Sequence, residues 1–226
     1  MVPRHTRHAF SLTQNFRSLL SPLITRAVVD GFARDIKTGA ERELSTTLAK
    51  HASGSGSSTK STPPTKWLIS SSPSSSVQSL PTLPSIVIPP TSAPHTPPQI
   101  LTALTPLAVT LNTYLRALNR LRALAPMGAL DGVLDVLESG LARNGEALLA
   151  YARAWRDDGV EREVARAAGA AYVRVLVPFL RRAIVEGVFG VASQDDSDAP
   201  RKGGEGGASA LRDTVRGWEG WLSEMS

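Results

Sequence analysis

The stretch "LNTYLRALNRLRALAP" (residues 111–126) decides the fold class. At 100° per residue, Leu107, Leu111, Tyr114, Leu115, Leu118, Leu121 and Ala125 fall on one stripe, the pattern of an amphipathic helix ending before Pro126. Thr105-Pro106 is the expected start, with proline at the first helical position, where its missing N–H removes no bond. Asn112 and Asn119, one heptad apart, lie side by side on the flank, and Arg122 falls inside the stripe as a charge that must snorkel or pair. Asparagine is mildly unfavourable within a helix. The pair, with Arg122, is therefore expected to hold a neighbouring helix in register by hydrogen bonds, within the chain or across to another subunit.

Working outward, the same phase predicts helices on both sides. Residues 10–51 form a first helical segment, with Ser21-Pro22 as its start signal. Ile24, Val28, Phe32, Ile36, Ala40, Leu44 and Leu48 recur there every four residues, as one slowly drifting face. A third helix is expected over about residues 128–156, carried by Leu130, Val133, Leu134, Leu137, Leu141, Leu148, Tyr151, Ala152 and Trp155. Asn144-Gly145 ordinarily signals a turn, but the apolar phase continues from Leu141 to Leu148, so the helix is expected to run through it. Asp131, Asp135 and Glu138 near its start and Arg153 and Arg156 near its end suit the helix dipole, and the acids read as a solvated face.

A fourth helix follows over about residues 160–189. Pro178 should bend it, and burial should be deepest beyond that point. The last helix, residues 210–225, places Leu211, Val215, Trp218 and Leu222 on one stripe. Trp218 and Trp221 are candidate partner contacts, as an interfacial anchor or a plug into another protein; the alternative is that they pack back on the bundle.

Between the helical blocks, residues 52–99 are so rich in Ser, Pro and Gly that they offer too little apolar surface to offset chain entropy, and a disordered linker is expected. Trp67-Leu68-Ile69 and Ile86-Val87-Ile88 are exceptions, expected to be pinned to a surface. Residues 191–209, with "RKGGEGG", form a second linker. The organisation is thus an arm and first helical segment at 1–51, the linker 52–99, a main bundle at 100–190, the linker 191–209 and a terminal amphipathic helix at 210–226. The fold class expected is all-α, an antiparallel helical bundle.

Composition narrows the function. The 226 residues contain no cysteine, which removes disulfides, thiolate metal sites and a cysteine nucleophile. The net charge of +5 lies mainly in residues 1–51 (+4) and the first linker (+2), while residues 100–190 carry +2 and residues 191–226 carry −3. There is no basic stripe of the kind that grips nucleic acid. His5, His8, His51 and His95 lack the helical pairing of a metal site, and no phosphate loop, G-x-S-x-G motif or Glu-x-x-His motif is present. No catalytic, cofactor-binding or metal-binding residue is expected, nor a small-molecule substrate.

Two blocks carry a resemblance. Pro106-Leu107-Ala108, Leu111-Asn112, Leu115, Ala117, Asn119, Leu121-Arg122 and Pro126, together with Leu176-Val177-Pro178-Phe179-Leu180 and Arg182, resemble the C-terminal region of the eighth subunit of the conserved oligomeric Golgi complex. The resemblance covers residues 100–190, and residues 10–51 more loosely. It implies a helical-rod fold and a peripheral protein on the cytosolic face of the Golgi membrane. Its implied partners are sister subunits of a vesicle tether and vesicle fusion proteins, and its implied role is retrograde transport within the Golgi. Members of that family are larger, with an N-terminal coiled-coil half that has no counterpart here, and the Ser/Pro tract is foreign to their pattern.

Two other readings follow from the sequence. Four arginines and no acidic residue precede Asp30, the composition of a mitochondrial transit peptide, which makes a helical mitochondrial factor the alternative. The third is a helical adaptor of another tethering complex.

Overall fold

The computed structural model describes residues 6–52, 64–67, 93–192 and 205–224, and among them the chain is all helix and connecting turns, with no strand. Helix α1 (Thr6–Asp35) passes through a π-helical turn at Ile36–Glu41 into α2 (Arg42–Ala52). A 3-10 turn at Pro64–Trp67 and a single helical turn, α3 (Ile100–Ala103), lead to α4 (Thr105–Arg122). Then come α5 (Leu130–Arg153), α6 (Gly159–Ala171), α7 (Val177–Arg182) and α8 (Glu205–Glu224). The all-α expectation holds. Leu68-Ile69 and Ile86-Val87-Ile88 lie outside the described residues, as does the disorder expected of most of both linkers.

Helix α5 is the axis of the bundle. Residues 25, 29, 36 and 41 of the first segment meet residues 128, 132, 140 and 143 in the same order, so α1 runs parallel to α5. Helix α8 is also parallel to α5, since Gly207 meets Asp135, Thr214 meets Ala142 and Trp218 meets Gly145. The intervening helices reverse: Tyr172 meets Leu141, and Arg181 meets Glu138. With α1 antiparallel to α4, through Asp35 on Arg120 and Glu43 on Thr113, the long helices α1, α4, α5, the α6–α7 run and α8 alternate in direction, the antiparallel order expected for the bundle.

Three π-helical turns have one physical origin. Phe32, Ile36, Ala40, Leu44 and Leu48 are all buried at a spacing of four. Each such step overshoots a 3.6-residue turn by about 40°, so a straight α-helix would rotate the stripe away from the core. The wider turn at Ile36–Glu41 absorbs the surplus. The same holds for Val164, Ala168, Tyr172, Leu176, Leu180 and Ile184, where π turns occupy Tyr172–Leu176 and Ala183–Val188. Pro178 sits in the first turn of α7, just past the first of these, where its missing N–H breaks no α-helical run. From Val164 to Leu180 every residue but Arg166, Arg174 and Pro178 is buried, and burial thins after Ile184, so the deepest packing precedes the end of this run rather than following Pro178. Gly190, at φ 66°, closes it in the left-handed conformation.

Polar groups tie the helices at depth. Asn144 does not turn the chain: it is buried in α5, and its Nδ2–H donates to the Tyr114 hydroxyl of α4 at 3.2 Å. The Tyr172 hydroxyl donates to the Leu141 carbonyl. Burial pushes both phenols up from the ordinary value of 10, and for Tyr114 the neighbouring Glu41 adds to the rise. Of the early acids of α5, Asp131 is exposed as a solvated face requires, and the other two are not. Glu138 is buried and pairs with Arg181 Nε at 3.1 Å, and Asp135 Oδ1 accepts the Gly207 N–H at 2.8 Å. That bond caps the start of α8, which therefore begins inside the glycine-rich stretch read as linker.

Two glycines make close approaches possible. At Gly169 an added Cβ would lie within 2.9 Å of three atoms of the Trp218 ring, so only glycine leaves the slot the indole fills. At Gly145 it would meet Thr214 Cγ2 at 2.7 Å and Tyr172 Cε1 at 2.9 Å, while the Gly145 carbonyl accepts the Trp218 indole N–H at 3.1 Å.

The first linker is clasped at one point. Glu161 Oε2 accepts the Thr65 N–H at 2.6 Å and Oε1 accepts its hydroxyl at 2.7 Å. Trp67 is fully buried with its ring 5.1 Å from that of Tyr151. The hydroxyl of Thr105, expected to cap its own helix, instead donates to the Trp67 carbonyl at 3.1 Å. Pinning of Trp67 is observed, as a 3-10 turn.

Candidate functional site

Among the described residues, the outer side of α1 and α4 is left open. Helix α1 does not start at Ser21-Pro22 but runs through it, carrying Pro22 on an exposed face. Its described packing runs through Thr25, Val29 and Phe32, and on through Ile36 of the π turn, toward α5 and its approach. The outward side is apolar: Phe16 and Leu23 are each 63% exposed, Leu19 is 67% exposed, and Leu20 and Ile24 are also open to solvent. Phe16, Leu20, Leu23 and Ala27 follow at steps of four, three and four, the spacing of a helix face that packs against another helix. Ile24, within the stripe expected to be buried, lies beyond the reach of the bundle.

This ridge runs beside a groove of about 430 Å³ between α1 and α4. Its walls are Ile24, Ala27, Val28 and Phe32 from α1 and Ala117, Leu121 and Leu124 from α4, again four and three apart. The two helices are antiparallel here, pinned at one end by Arg120 Nη1 on Asp35 Oδ1 at 3.0 Å. Leu124, 73% exposed, stands at the other end. Arg34 and Arg116 are exposed nearby and have no acidic partner among the described residues. Arg26, on the far side of α1, faces Asp30 at 3.7 Å.

The asparagines expected to bridge helices lie on the outer face of α4. Asn112, Asn119 and Arg122 are all exposed, and none makes a side-chain hydrogen bond or ion pair with another described residue. Among the described residues they hold no helix in register. The residue that does this is Asn144, whose spacing of three from Leu141 and four to Leu148 put it on the buried face. Arg122 avoids the core because α4 ends there, past the last turn that packs. Trp218 and Trp221 are buried, with their rings edge to face at 5.6 Å, so they pack back on the bundle instead of presenting an anchor or plug. Trp221 also lines a smaller groove of about 280 Å³ at the opposite end of α5, with Arg153, Arg156 and Arg216.

Among the described residues no three His, Cys, Asp or Glu side chains gather as a metal site would require, and no helix is long and apolar enough to cross a membrane. His95 is exposed, and the side chains of His5, His8 and His51 lie outside the described residues. The α1 ridge was missed from sequence because Ser21-Pro22 read as a start; the signal was the four-three spacing from Phe16. The chain matches no protein-family model, no curated protein and no solved structure.

Proposed function

We propose that the chain is a non-enzymatic docking subunit of a Golgi vesicle-tethering complex. In this reading it acts in retrograde transport within the Golgi, at the cytosolic face of the membrane, through helix-mediated contacts with sister subunits. The observation that carries the reading is the open outer side of α1 and α4, an apolar ridge and groove flanked by Asn112, Asn119 and Arg122 without partners among the described residues. The two sequence blocks that resemble the Golgi subunit supply the cellular setting. Their leucines build the core, and Asn112, Asn119 and Arg122 of the first block form the exposed edge. Tethering needs no reactive group, only several weak contacts acting together.

The test is affinity purification of a tagged chain. Co-purification of Golgi-tether subunits and vesicle fusion proteins is expected, with reduced recovery for Asn112→Ala/Asn119→Ala. Undiminished recovery with the double variant removes the asparagine edge from the interface, and absence of any tether subunit overturns the reading. The arginine-rich, acid-free residues preceding Asp30 favour a second reading, a mitochondrial helical factor. A fluorescent fusion separates the two, as Golgi puncta or mitochondrial tubules. Subunits of a different tether in the purification would point instead to an adaptor of that complex.

A further inference from the structure

We infer that the α1–α4 groove is the seat of an acidic amphipathic helix belonging to a partner protein. The inference rests only on the docking part of the proposal above and not on its Golgi setting.

The shape specifies a helix. Two antiparallel helices present apolar residues, Ile24, Ala27, Val28 and Phe32 on one side of the slot and Ala117, Leu121 and Leu124 on the other, and the exposed Leu20 and Leu23 continue the α1 row beyond it. Two such rows with a concave slot between them are the two-helix half of a three-helix packing, and the missing element is a third helix with the same spacing. The open ridge from Phe16 to Asp35 covers 20 positions of α1, about 30 Å of helix, enough for roughly five turns of a partner.

The charge specifies the partner. Arg34 on α1 and Arg120 on α4 line the slot together with Asp35, which Arg120 engages, and Arg116 is exposed one turn before Arg120. A helix with an apolar face and glutamate or aspartate on its flanks meets these guanidinium groups; one with lysine or arginine there is repelled. A second copy of this chain, docking through the same surface, would set arginine against arginine. An anionic membrane shares the charge requirement, but a lipid surface engages convex apolar ridges, and here the apolar residues also line a recess.

The experiment uses the full chain and a synthetic helix, three repeats of LEELAQE, with LKKLAQK as its charge-reversed twin and phosphatidylserine vesicles as a third probe. Binding is followed by fluorescence anisotropy of a labelled peptide. The acidic peptide is expected to bind, at least tenfold more tightly than its twin, and to weaken as salt is raised. Leu23→Glu and Leu124→Glu replace exposed side chains, so circular dichroism melts should match the parent. Each should weaken the acidic peptide at least tenfold, and Arg116→Glu should do so while narrowing the preference between the twins. Equal binding of both peptides, binding of neither, or binding indifferent to Leu23 and Leu124 overturns the inference, as does vesicle binding that requires Leu124 when the peptide does not bind. Failure here leaves the co-purification result standing, and loss of co-purification leaves peptide binding intact, so the two readings fall separately.

Discussion

Replacing Gly169 with alanine sets two known effects of opposite sign against each other. Within a helix, glycine to alanine ordinarily stabilises by about 0.5–1 kcal/mol, because alanine has less backbone freedom to lose on folding. At Gly169 the new methyl would lie within 2.9 Å of three atoms of the Trp218 ring, where ordinary contact begins near 3.4 Å. The ring is fully buried, so it cannot swing into solvent without vacating its slot. Overpacking of this kind costs about 1–3 kcal/mol, and displacing the indole puts its bond to the Gly145 carbonyl at risk for about 1 kcal/mol more. The steric side wins, and Gly169→Ala is expected to destabilise by about 1–3 kcal/mol, a fall in Tm of roughly 2–4 °C per kcal/mol. Gly220→Ala, in α8 with nothing within 4 Å of its added Cβ, is the control and should stabilise. Urea unfolding followed by far-UV circular dichroism reads both. In a Trp218→Ala background, itself costing about 3–5 kcal/mol, the sign at Gly169 should reverse, because the methyl then enters the space the ring has left. If Gly169→Ala and Gly220→Ala shift stability in the same direction, the slot is not what holds α8 and the packing derived for it fails.

Three further outcomes are expected. Tyr114 and Tyr172 keep their protons when folded at pH values where the unfolded chain releases them, so stability should be full below pH 10, the ordinary tyrosine value, and decline above it. Tyr172→Phe should remove up to about 1.4 kcal/mol per pH unit from that decline, and identical slopes in urea melts on either side would refute the assignment. Glu161→Ala withdraws both acceptors from Thr65 and should speed tryptic cleavage after Lys66 about tenfold; an unchanged rate would mean that Trp67 alone seats the turn. Gly207→Ala drives a methyl against the Asp135 carbonyl and to 2.8 Å from its Oδ1, so amide exchange in α8 should accelerate, whereas Gly206→Ala, with open space around it, should leave exchange unchanged.

The helices were legible because apolar phase reports which face is buried. Leu107 to Leu121 in α4, and Leu141 and Leu148 across Asn144-Gly145, needed nothing else. Phase does not report what lies opposite. Asn112 and Asn119 drew attention by their heptad spacing, yet they face outward, while Asn144 bridges because a tyrosine on another helix meets it. Asp135 and Glu138 looked like dipole-matched surface acids, and only the folded chain brings the Gly207 amide and Arg181 against them. Glycines mislead most. "RKGGEGG" has linker composition, but Gly207 is small because the α5 backbone passes beside it. The strict four-residue period of Phe32 to Leu48 did contain the π turn, since an unbroken α-helix cannot keep such a stripe on one neighbour.

Helix α8 reaches its place across residues 193–204, yet its hold on the molecule lies elsewhere: at Asp135 for its first turn, at the Gly145 carbonyl and in the hollow above Gly169 for its tryptophan. Covalent continuity supplies proximity and little more. A polypeptide severed within 193–204 should therefore reassemble from its two pieces, with an affinity that measures how well key fits lock. Split between the halves of a reporter, the same two pieces would signal their reunion inside a cell.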